Sequence, residues 1–157
     1  MQRVLEIDLN AQNNSERRMD IGLLILRGAA LFLALTFGRQ KLLAFVVFLR
    51  SGLPLGYFGF ARFLRSLGFP IPGLLAVGAI LNETVVALFV AAGFMSRLFC
   101  GVSALAMATA FFVSIKLGEE PLRAALYFLI FSVLVITGPG AISVDRWIQE
   151  TRMRAKA

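Results

Sequence analysis

Three polar side chains sit where an otherwise apolar sequence has no cheap place for them. Arg27 interrupts the apolar run 21–37, and Asn82 and Glu83 stand together inside the run 73–93. A charge at bilayer depth costs roughly 2.5–3.5 kcal/mol even on the lenient insertion scale, so such residues face protein, pair, or serve a function. Arg27 lies about 10 Å into its run and Glu83 about 15 Å into its own, counted from opposite ends at 1.5 Å per helical residue. Antiparallel helices crossing a core of about 30 Å would bring them to depths about 5 Å apart, which predicts a shared buried contact. Ala76, Ala79, Ala87 and Ala91 lie on the Glu83 stripe and let a neighbouring helix approach closely. Three uses of the pair stay open: a structural ion pair that sets helix register, a proton-transfer or ligand-binding site, or a Glu83 turned toward a partner subunit.

A second polar set comprises Arg39, Gln40, Lys41, Glu119, Glu120 and Arg123, expected together on the outer side of the membrane. Glu119 and Arg123 are spaced i, i+4 with the acid first, a helix-surface pair worth about 0.2–0.5 kcal/mol. Tyr127 lies one turn below Arg123 and would turn this cluster into a pocket for a lipid headgroup or a quinone ring.

Residues absent from the chain exclude much other chemistry. There is no histidine and a single cysteine, Cys100. Bis-His haem, imidazole proton shuttles, most zinc sites and a dithiol exchange within the chain are thereby ruled out. No covalent or metal cofactor is expected. Cys100 itself reads as a small packing residue.

Four apolar runs must position these groups: 21–37, 73–93, 98–115 and 122–137. With 59% apolar residues and a mean hydropathy of +0.81, the chain exceeds the roughly half-apolar usage of soluble domains. About twenty apolar residues span the hydrocarbon core, and outside closed barrels only helices satisfy their own backbone there. The expected fold is therefore an all-α membrane protein, an antiparallel bundle of four transmembrane helices. The third run, crowded with Cys100, Gly101, Ser103, Ala104 and Ala108, is expected at the centre of the bundle.

The connection 38–72 is too long for a turn and too apolar for a soluble loop. KLLAFVVFLR either continues the first helix or begins another, and Pro54 with its neighbouring glycines breaks the chain after it. FARFLRSLGF then puts Phe60, Phe63, Leu64 and Leu67 near one face and Arg62, Arg65 and Ser66 away from it. This predicts an additional interfacial or re-entrant helix between the first two spans, or a lid over the bundle end.

Flanking the membrane part, residues 21–145, are a polar N-terminal segment, 1–20, without the apolar core of a signal peptide, and a basic C-terminal tail, 146–157. Ser143 caps the last helix and Trp147 belongs at the interface. The net charge of +7 is matched to anionic lipid headgroups rather than nucleic acid, because the basic residues flank apolar spans. With both termini cytoplasmic the inner side holds Arg3, Arg17, Arg18, Arg97, Arg146, Arg152, Arg154 and Lys156. That is eight against seven outside, so the compact clusters Arg17–Arg18 and 146–156 carry the assignment.

The order of these features resembles the DoxX family of small bacterial membrane proteins. The likeness rests on LRGAALFLALTFG with Arg27, GRQK with Gly38 and Lys41, LGFPIP, Glu83, GFMSRL with Gly93 and Arg97, the turn GEEP, and GPGAISVD. The resemblance implies a four-helix bundle in the bacterial inner membrane and a link to redox membrane biology. Two functions follow as expectations. One is a membrane subunit of a redox-linked complex that binds quinone or another amphipathic ligand for a partner oxidoreductase. The other is a non-catalytic accessory or assembly subunit packed against a larger membrane complex. Stand-alone transport ranks third, since four short spans leave little room for a pathway.

Overall fold

A computed structural model describes residues 2–155, with side chains described for 14–155. Of the basic residues counted above, Lys156 lies outside the described residues and Arg3 outside those with described side chains. Six helices and no strand are present among the described residues. Helix α1 covers 2–49 as one rod, built from Gln2–Leu33, a π turn at Ala34–Gly38 and Arg39–Leu49. After a 3-10 turn at Leu55–Tyr57 come α2 (Gly59–Ser66) and α3 (Pro72–Ala92), the latter with its own π turn at Asn82–Val86. Helices α4 (Ser96–Leu117), α5 (Leu122–Thr137) and α6 (Val144–Arg154) complete the chain.

Of the two alternatives for KLLAFVVFLR the structure takes the first: α1 runs past Phe37 to Leu49. Gly38 is the weakest helix former between 34 and 49, a cost of about 1 kcal/mol relative to alanine that tertiary packing readily overrides. The helix ends where Ser51, Gly52 and Pro54 break it. Residues 14–20, NSERRMD, are polar, and the apolar part of the helix runs over 21–49. At 1.5 Å per residue this is about 43 Å, beyond a hydrocarbon core of about 30 Å. Helices α3 and α4 are also long and apolar enough to cross a membrane, whereas α5 is apolar but has only 16 residues.

Two clusters of buried residues hold the helices together. Leu23, Ala30 and Leu33 of α1 meet Val90 of α3, Cys100, Ala104 and Met107 of α4, and Tyr127, Phe131 and Leu134 of α5. At the other end, Phe58 and Ala61 pack on Ala76 and Ile80, with the rings of Phe45 and Phe48 at 5.4 and 5.2 Å from Phe58. Helix α2 is thus laid against the α1–α3 pair. Its inner face is shifted from the one expected: Ala61 is buried, Phe60, Leu64 and Leu67 are half-buried, and Phe63 is exposed.

Helix α4 is not central. Only 17% of its apolar window is buried, against 33% for the windows of α1 and α3. Its small residues Cys100, Ser103 and Ala104 line one packed stripe, while Leu105 and Phe112 turn outward. Lipid is as apolar as leucine, so nothing drives that outer face inward. The same reason accounts for Ile25, Val47 and Ile136, all over two-thirds exposed. The molecule is a multi-pass membrane protein whose apolar surface suits a bilayer.

Candidate functional site

Helices α1 and α3 run antiparallel, and their two π turns meet. A π turn inserts one extra residue, re-aims the side chains around it, and is frequent at functional sites. The approach is closest at Gly38, where a Cβ would overlap the backbone carbonyl of Glu83. One turn further along α1, Lys41 Nζ donates to Glu83 Oε1 at 2.6 Å. The ammonium also stands 5.2 Å from the centroid of the Phe60 ring, so α2 supplies a third wall and a cation–π contact.

The ion pair is incompletely covered and incompletely satisfied. The Lys41 side chain is 37% exposed and that of Glu83 12%. Glu83 Oε2 is buried and accepts no hydrogen bond. Beside it, Asn82 Oδ1 accepts from Ser103 Oγ at 2.9 Å, while its Nδ2 is buried without an acceptor. Glu83 lies eleven residues from Pro72 and nine from Ala92, placing it about 16 Å from one end of α3 and about 14 Å from the other. Near mid-span an ammonium thus stands by a carboxylate oxygen and an amide N–H that are both buried without partners. Such a set can hold a proton and can both donate to and accept from a small polar group.

Arg27 does not take part. It is 2% exposed, and its guanidinium donates to the carbonyl of Ile142 in the segment between α5 and α6, leaving Nε buried without a partner. Gly93 accommodates it: this residue has φ +75°, and a Cβ there would collide with Arg27 Nη1 and with Ser143. The expected Arg27–Glu83 contact fails because α1 continues past Gly38. The start of α3 then packs against Phe45 and Phe48, and its end, rather than its middle, reaches Arg27. Along α1, Arg27 and Lys41 are fourteen residues apart, or about 21 Å.

The outer cluster assembles only in part. Arg123 stacks over the Phe37 ring at 4.6 Å, one turn from Lys41. Tyr127 is buried and stacked on Phe131 at 6.2 Å, inside the core instead of lining a pocket. Arg39, Glu119 and Glu120 are exposed. Glu119 makes no ion pair with Arg123 because it lies in the turn before α5, where its N–H bonds the Ser114 carbonyl, so the i, i+4 helical geometry does not exist. Lys41 belongs to the span instead of to this cluster. Phe60 and Ser103, which complete the surroundings of Lys41 and Asn82, were legible in the sequence only as packing residues. Lys41 did carry one, since it shares a helical face with Gly38, Phe45 and Phe48 once KLLAFVVFLR is read as a continuation of the first helix.

Residues 22–115, about three-fifths of the chain, match the DoxX family. The matched stretch contains Arg27, Gly38, Lys41, Asn82, Glu83 and Ser103, whereas Arg123 and Tyr127 fall beyond it. No curated protein and no solved structure matches the chain.

Proposed function

The chain belongs to the DoxX family of membrane proteins, and on that premise we propose that it is the membrane subunit of a redox-linked complex, binding quinone or a similar amphipathic molecule at Lys41 and Glu83. One observation carries this reading: a lysine inside a span whose side chain is 37% uncovered by its own chain, paired with a carboxylate whose second oxygen is buried without a donor. Leaving a cation so placed against lipid alone costs roughly 2.5–3.5 kcal/mol, which a polar ligand head or a partner offsets. The orphaned donors and acceptors fit a quinone. Lys41 Nζ and Asn82 Nδ2 can donate to ring carbonyls, and Glu83 can take or return a proton. When bound, the quinone supplies the two-electron chemistry, for which the chain has no group of its own. The ligand enters sideways from the bilayer, past Phe60.

In this reading the protein crosses the bacterial inner membrane four times, with α5 as the fourth span and both termini cytoplasmic. Reporter fusions at residue 157 and within 52–59 test this: they should fall on opposite sides. Binding is tested by titrating the purified protein in lipid nanodiscs with a short-chain benzoquinone and following its thermal unfolding. The wild type should be stabilised saturably, and Lys41→Met and Glu83→Gln should abolish the effect. Undiminished stabilisation of both variants would exclude this site.

The open outer face of α4 favours a second reading, an accessory or assembly subunit. With only 17% of its window buried, that helix offers Leu105 and Phe112 to a neighbouring membrane protein. Gentle purification that recovers a stoichiometric membrane complex without quinone would support it over the first.

A further inference from the structure

The two buried clusters that hold the helices together share no residue. The larger draws on 23–37, 86–107 and 127–135, whereas the smaller, with the side chains packed against it, lies wholly within 45–80. The chain passes between these units only twice, along α1 and along α3, and both passages are π turns, Ala34–Gly38 and Asn82–Val86. A π turn is a place where an α-helix bends or changes its hydrogen-bond register. Each of the two has a threonine at its third position, Thr36 and Thr84, whose hydroxyl donates to the carbonyl four residues back at 2.6 Å, a back-bond that itself bends helices. The turns meet at Gly38, where the absent side chain lets the backbones touch, so the two bends share one pivot.

Away from the pivot the two units are parted. A cavity of about 350 Å³ lies between Leu67, Phe69 and Pro70, at the turn from α2 to α3, and Phe112, Val113 and Lys116 of α4. Protein interiors are close-packed, so a gap of this size between mostly apolar walls leaves contacts within the chain unmade. The turn that forms one wall is stiff. Pro70 and Pro72 fix the backbone on either side of Ile71, which is held at φ +49°, an uncommon conformation for a β-branched residue.

We propose that residues 39–81 form a rigid flap that rocks about the paired π turns and closes the cleft onto α4. Hinges of this kind place the whole backbone change in a few residues and leave the packed units on either side intact. Lys41 and Phe60 travel with the flap, whereas Glu83 sits in the pivot, so the swing sets how open the ion pair is to the bilayer. The flap does not depend on what binds at Lys41.

Distances between pairs of spin labels, measured by double electron–electron resonance on the full chain in lipid nanodiscs, test the motion. The labelled positions Gln40, Ser51, Ser66, Lys116 and Thr137 are all exposed, so cysteine there leaves the packing intact. The native Cys100 is fully buried and stays in place, with the unsubstituted protein as the labelling control. Ser66→Cys with Lys116→Cys spans the cleft and should give two distances, the shorter from the closed flap. Ser51→Cys with Ser66→Cys, both in the flap, and Lys116→Cys with Thr137→Cys, both outside it, should each give one narrow distance. Gln40→Cys with Lys116→Cys should spread less than the cleft pair, because Gln40 adjoins the pivot at Gly38. A single cleft distance as narrow as the two controls overturns the proposal. So does a spread within the flap equal to that across the cleft, which denies a rigid body, or an equal spread at Gln40 and Ser66, which denies the pivot.

Discussion

Arg27 and Lys41 lie on one helix, both inside its apolar part, and meet the same electrostatic difficulty in different ways. Arg27 is sealed at 2% exposure against a backbone carbonyl, between Gly93 and the segment before α6. Lys41 has a carboxylate partner at 2.6 Å and remains 37% exposed. Arg27 thus braces the chain, joining α1 to the end of α3 and to residue 142. The Lys41–Glu83 pair carries unused hydrogen-bonding capacity in a place reachable from lipid. A buried charge in a span is therefore not by itself a site: Arg27 too leaves its Nε unpaired, and what distinguishes Lys41 is a side chain left 37% exposed.

Single replacements at the ion pair should have the largest effect. Glu83→Leu leaves Lys41 uncompensated, and breaking a buried pair typically costs 3–5 kcal/mol, so about 3 kcal/mol is expected for a pair exposed on the lysine side. The double variant Lys41→Met, Glu83→Leu should recover at least about 1 kcal/mol of the summed losses in unfolding measurements. Arg27→Met combined with Glu83→Leu should instead be additive within about 0.5 kcal/mol, given their separation. Coupling of Glu83 to Arg27 in place of Lys41 would reverse the comparison.

Gly38→Ala comes next. The added Cβ meets the backbone of Glu83 and not a movable side-chain tip, so a loss of about 2 kcal/mol is expected, within the usual range for overpacking. Quinone stabilisation, if present, should fall with it, because the shift moves Glu83 away from Lys41. Arg27→Met should cost about 1.5 kcal/mol, the lower end for a hydrogen bond to a charged group, and leave ligand response at Lys41 intact. A lost response in this variant would show that the two regions are coupled. The smallest effect belongs to the exposed Arg146–Glu150 pair, whose side chains are 57% and 47% exposed. Glu150→Gln should change the unfolding free energy by less than about 0.5 kcal/mol.

Much of this architecture was legible before any coordinates. The second run was placed within one residue at each end, the third within two, and the fourth coincides with α5. The Ser143 cap is present, accepting from the Arg146 N–H at 3.2 Å, and Cys100 is buried in the core. The end of the first span stayed open between two alternatives because a glycine followed by three polar residues, GRQK, reads as a helix end in one dimension. In the folded chain Gly38 is a contact surface for α3, and Lys41 is held by Glu83, so neither interrupts the helix. That single extension of α1 shifted the α1–α3 register and with it the partner of Glu83. The placement of α4 at the centre failed for a related reason: small residues show that a helix packs closely on one side and are silent about the other.

Apolar run length, the absence of histidine and the single cysteine are local properties. By themselves they determined that the chain is helical, that its surface belongs in lipid, and that metal and dithiol chemistry have no obvious ligands here. Which charge meets which is not local. Arg27, Lys41 and Glu83 are all plausible partners by depth, and their pairing depends on the relative sliding of two antiparallel helices, where each residue of slip moves a side chain by about 1.5 Å and turns it by about 100°. Only the packing of Gly38 on the Glu83 backbone, together with Phe45 and Phe48 on the start of α3, decided that slip.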